Sequence, residues 1–161
     1  MPGRPYFETM NNETRAHQRQ LAAVHLSGHV VAWLLAGHRM DTGLDFVALT
    51  PGSGWRYLLH DEAGQCRDLV VALLAGYAAE QAIDPDAPER NGAADMRQAL
   101  KTMREFAPAE NIEQLERESR DLVRRFRDVI LTFAGELLRR ETITGPQCEE
   151  LFHQLLGSVT H

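Results

Sequence analysis

His25 and His29, in the stretch His25-Leu26-Ser27-Gly28-His29, stand four residues apart. On an α-helix that spacing puts both side chains on one face about one turn apart, so two imidazoles can reach one tetrahedral cation. The same pair also serves as two hydrogen-bonded histidines in a helix interface, and the spacing alone does not separate these roles. Leu26, directly after the first histidine, can neither take up nor release a proton.

A helix must carry this pair, and the surrounding pattern predicts one. From about Thr14 to Gly37, Leu21, Val24, Leu26, Val30, Val31, Trp33, Leu34 and Leu35 form a wide apolar stripe closed by a glycine. Before it, residues 1–12 hold Pro2, Gly3, Pro5 and an Asn11-Asn12 pair and read as a poorly ordered lead-in. Residues 13–161 read as one domain. Phe46–Leu49 and Trp55–Leu59, separated by Pro51-Gly52-Ser53-Gly54, predict two short strands joined by a turn. Helices follow over about Gly64–Ile83, Asp95–Phe106, Glu110–Arg140 and Pro146–Leu156, the last with proline in its first turn, where a missing N–H costs nothing. The class is mainly α (α+β) with a small two-stranded sheet.

Composition narrows the function. The 161 residues are 43% hydrophobic and 25% charged, which suits one compact core. A net charge of −6 argues against a nucleic-acid partner, which would require a basic surface. Arg124, Arg125 and Arg127 cluster, but Glu116, Glu118, Asp121 and Asp128 surround them, as on a solvated helix face. Cys66 and Cys148 have neither CxxC nor zinc-ribbon spacing, and no N-terminal basic-then-apolar segment announces export, so a cytoplasmic location with two free thiols is expected. No apolar run is long enough for a membrane segment. No GxxxxGK[ST] occurs, so the chain is not expected to hydrolyse ATP.

In order along the chain, four blocks resemble the peptidase domain of FtsH-type AAA+ zinc metalloproteases. His25-Leu26-Ser27-Gly28-His29 stands where that family has HEAGH, with leucine in place of the glutamate. Leu74-Ala75-Gly76-Tyr77-Ala78-Ala79-Glu80-Gln81 is similar to LGGRAAEE, with Tyr for Arg and Gln for the second Glu. Asn91-Gly92-Ala93-Ala94-Asp95-Met96 is similar to GAxNDL, the segment that supplies the family's third zinc ligand. Leu137-Leu138-Arg139-Arg140-Glu141-Thr142-Ile143-Thr144-Gly145 is similar to the LLExETLdG that precedes the family's last helix. The resemblance spans residues 14–157 and implies a helical zincin-like fold with His25, His29 and Asp95 on one zinc ion.

Two imidazoles and a carboxylate leave a fourth position open, as in a catalytic zinc site. The family's glutamate after the first histidine is its general base. A positioned base contributes about 10²–10⁴-fold, so Leu26 leaves an expected pseudopeptidase or weakly active metallohydrolase. Glu80 is a candidate either to orient a ligand histidine or to act as substitute base in an active metallopeptidase. His60, Asp61 and Glu62, after the second strand, read as a loop that could line a cleft. A third reading drops the metal and leaves an interaction or assembly module. The family works with an attached ATPase ring; no such module is expected here, so the domain is expected to act alone, on short substrates, or through a protein or peptide partner. The resemblance also suggests a homo-oligomer.

Overall fold

The computed structural model describes residues 12–40, 46–48, 54–55 and 62–159. It is mainly helical: α1 (Asn12–Leu35), β1 (Phe46–Ala48), β2 (Gly54–Trp55), α2 (Glu62–Ile83), α3 (Arg90–Phe106), α4 (Ile112–Arg125), α5 (Arg127–Arg140), β3 (Thr142–Thr144) and α6 (Gly145–Val159). Apart from Asn12, which already begins α1, the expected lead-in lies outside the described residues, as do residues 49 and 56–59 of the expected strands.

α1 changes character along its length. Residues 12–20 are exposed, whereas Leu26 to Leu34 are buried without interruption, so the second half of the helix is the axis of the core rather than an amphipathic surface element. α2 matches it, with an unbroken buried run from Leu69 to Ala75. The two helices pack along each other, α3 and α4 cover α2, and α5 covers α1. Gly28 permits the central contact: a Cβ there would stand 2.6 Å from the Ala75 carbonyl oxygen and 3.0 Å from the Ala79 Cβ. Trp33, Phe133, Leu115, Ile130, Leu137 and Ile143 fill the spaces between these helices.

Three features depart from expectation. The single long helix over Glu110–Arg140 is two helices, capped at Asn111 and bent at Phe126, where φ is −110° and ψ 24°. No glycine or proline causes the bend. α4 lies on α2 and α5 on α1, so the chain turns to follow a different neighbour, and apolar periodicity cannot report a change of partner. Second, α3 starts at Arg90 rather than Asp95, because the Asn91-Gly92-Ala93-Ala94 segment is its first turn. Third, the described sheet has three strands, in the order β2-β1-β3, all antiparallel. Thr142-Ile143-Thr144 pairs with Phe46–Ala48 and buries Ile143 between two exposed threonines; three residues are too few for alternation to stand out in a sequence.

Both cysteines are free and buried, and burial foremost pushes the Cys148 thiol up to about 12, which leaves it unreactive. Among the described residues no helix is long and apolar enough to cross a membrane.

Candidate metal centre

The site is built from three pairs of residues, each four apart on its own helix: His25 and His29 on α1, Gly76 and Glu80 on α2, Asn91 and Asp95 on α3. Each pair lies along one helix face, and the close packing of α1, α2 and α3 brings the three faces together.

His25 Nε2 lies 2.7 Å and His29 Nε2 3.2 Å from Asp95 Oδ2. The two rings meet edge to face, with centroids 4.6 Å apart. One ligand atom from each of these three residues falls within 4.8 Å of the others. Behind the rings, the Nδ1 of each imidazole is held from the far side: His25 Nδ1 is 2.8 Å from Glu80 Oε1, and His29 Nδ1 is 2.7 Å from the Ala72 carbonyl oxygen. Those oxygens can only accept, so each Nδ1 donates and each Nε2 is turned toward Asp95. Asn91 Nδ2 donates to Glu80 Oε2 at 2.9 Å and fixes the carboxylate that fixes His25.

Gly76 is what lets α2 lie against both rings. A Cβ on it would stand 2.5 Å from His29 Cε1, 2.7 Å from His29 Nε2 and 2.8 Å from His25 Nε2. Any side chain at this position would occupy the space between the two nitrogens.

Charge in the cluster is shared between the two imidazoles and the carboxylates that face them. Burial disfavours a charged His25, but its hydrogen bonds to Asp95 and Glu80 outweigh this and carry it to about 9, so it holds both ring protons at neutral pH. His29, only 2% exposed, is shifted the other way by its burial, so its Nε2 points a lone pair at the Asp95 carboxylate. Burial works against the Asp95 charge too, yet the hydrogen bond from the His25 imidazolium holds it well below the usual carboxylate range. Two carboxylates therefore share one imidazolium in a largely buried setting. A single cation between the Nε2 atoms and Asp95 would relieve both the proton demand on His25 and the lone-pair contact at His29.

A cleft of about 590 Å³ opens on the cluster, lined by Gln18, Leu21, Ala22, Leu26, Pro88, Arg90, Asn91 and Ala94 as well as the polar residues above. The structure thus brings together His25, His29, Asp95 and Glu80, with Leu26 on the cleft wall. His60 and Asp61 lie outside the described residues, and Glu62 is the first residue of α2. Gly76, Asn91, Arg90 and the Ala72 carbonyl were not singled out by sequence reasoning. The four-residue spacing of Gly76 from Glu80 and of Asn91 from Asp95 was the available signal, since it repeats the histidine spacing on the facing helices.

No protein-family model matches this sequence, and no curated protein matches it.

Proposed function

We propose that the chain is an FtsH-type zinc metallopeptidase-like domain that binds zinc through His25, His29 and Asp95 and, with Leu26 in place of the general base, is a pseudopeptidase or at most a weakly active metallohydrolase. The observation that carries this reading is the convergence of two Nε2 atoms and one carboxylate oxygen, with both Nδ1 atoms anchored behind them. His25, His29 and Asp95 would hold the ion, since one ligand atom of each lies within 4.8 Å of the others and the donor set, two imidazoles and a carboxylate, suits zinc. Zinc held there would supply a Lewis acid that brings the pKa of water down to about 7.

The chain's own groups do the rest, and one task is left undone. Glu80 and the Ala72 carbonyl orient the imidazoles. Leu26, 6% exposed on the cleft wall, excludes water and moves no proton. The cleft-lining carboxylates among the described residues are Glu80 and Asp95. Glu80 is 3% exposed, with one oxygen committed to His25 and the other to Asn91, so it is poorly placed as a substitute base. An amide substrate would find an electrophile but no group to carry a proton to its leaving amine.

Activity against an unfolded polypeptide tests the reading. Wild-type protein with zinc should cleave slowly or not at all, while Leu26→Glu, with zinc retained, should raise cleavage by about 10²-fold or more and lose it again in chelator. Wild-type cleavage at the rate of working zinc peptidases would overturn it. A metal-free interaction module is the second reading, favoured by one observation: His25 lies within hydrogen-bond distance of both Glu80 and Asp95, so a doubly protonated imidazole would satisfy both without an ion.

A further inference from the structure

The cleft holds a cation outside the metal cluster. Arg90, the first residue of α3, lines the same cleft as His25, His29 and Asp95, and its side chain is exposed. Asp95 lies five residues further along α3, a rise of about 7.5 Å along the helix axis. Among the described residues no carboxylate pairs with Arg90, whereas Arg39, Arg67 and Arg139 each bind a glutamate. Apart from Arg90, Gln18, Asn91 and the His25, His29, Glu80 and Asp95 cluster, the cleft is lined by apolar residues, Leu21, Ala22, Leu26, Pro88 and Ala94.

Charge and shape together define what fits. On a chain of net charge −6 an anion is repelled at long range, so an arginine that lines the cleft is the local group there that favours an anion. Its planar fork matches a carboxylate, and the apolar wall beside it matches an aliphatic side chain. At about 590 Å³ the cleft has the size of a small-ligand site. We propose that the cleft takes the free C-terminal carboxylate of a short peptide ending in an apolar residue, with Arg90 holding that carboxylate. This rests on the reading of the cleft as a peptide site and narrows it from internal polypeptide to chain ends.

The test compares N-acetyl-alanyl-leucine with its C-terminal amide by calorimetric titration of full-length wild-type, Arg90→Gln and Arg90→Lys proteins, with zinc content measured on the same samples. The acid should bind about fivefold more tightly than the amide, the ratio should fall to about one in Arg90→Gln, and Arg90→Lys should keep part of it. Equal binding of acid and amide to wild type, a preference that survives Arg90→Gln, or binding of neither peptide overturns the proposal. Should the samples hold no zinc, the metal reading falls, while the acid-to-amide ratio still decides the role of Arg90.

Discussion

At the scale of single residues, the central fact is that His25 faces a carboxylate on each side. Without a metal the imidazole keeps both protons up to about 9. A metal ligand must present a bare nitrogen, so a cation has to displace one proton from His25 at any lower pH. Zinc binding at pH 7 should therefore release about one proton, and affinity should rise about tenfold per unit between pH 6 and 8. Calorimetry in buffers of different ionisation enthalpy measures the release directly; affinity that is flat across this range would contradict the arrangement. That His25 and His29 share one helix face was legible from their spacing, but Asp95 came only from a family resemblance, because a lone aspartate on a polar helix carries no periodic signal. Asn91 was harder still: an amide hydrogen-bonded to a carboxylate leaves no mark in the sequence that distinguishes it from an exposed asparagine.

At the scale of elements, the site depends on how closely three helices approach. Gly76→Ala should drive the imidazoles apart, lowering stability by about 1–3 kcal/mol and abolishing the proposed zinc binding in the same variant. A control exists far from the cleft. Asn111 caps α4, its side-chain oxygen accepting from the Glu113 and Gln114 backbone N–H groups. Asn111→Ala should cost about 1 kcal/mol, roughly 2–4 °C in melting temperature, with metal content unchanged. Thermal unfolding and metal analysis of both variants separate packing at the site from stability in general. Helical stretches were readable from apolar spacing in α1, α2 and the combined span of α4 and α5, where Leu, Val and Ala recur on buried faces. Junctions were not: the bend at Phe126 follows from a change of packing partner, and β3 is too short to show a period.

At the scale of the whole molecule, α1 and α2 form a buried pair around which the remaining helices are arranged, and the cluster sits where that pair meets α3. Placing titratable groups at the edge of the main core desolvates His29 and Glu80, and holding them there requires partners. Those partners can be satisfied in two ways, by a shared proton or by a cation, and the difference separates the proposed zinc-binding pseudopeptidase from a metal-free module. The sequence blocks behind the family resemblance contain all three proposed ligands. The most direct measurement is the zinc content of untagged protein purified without chelator, with His29→Ala in parallel. The account predicts about one zinc per chain in the wild type, the single ion that three ligands and one open position hold, and none in the variant. A folded wild-type protein that contains no zinc, and takes none up when it is supplied, would contradict it.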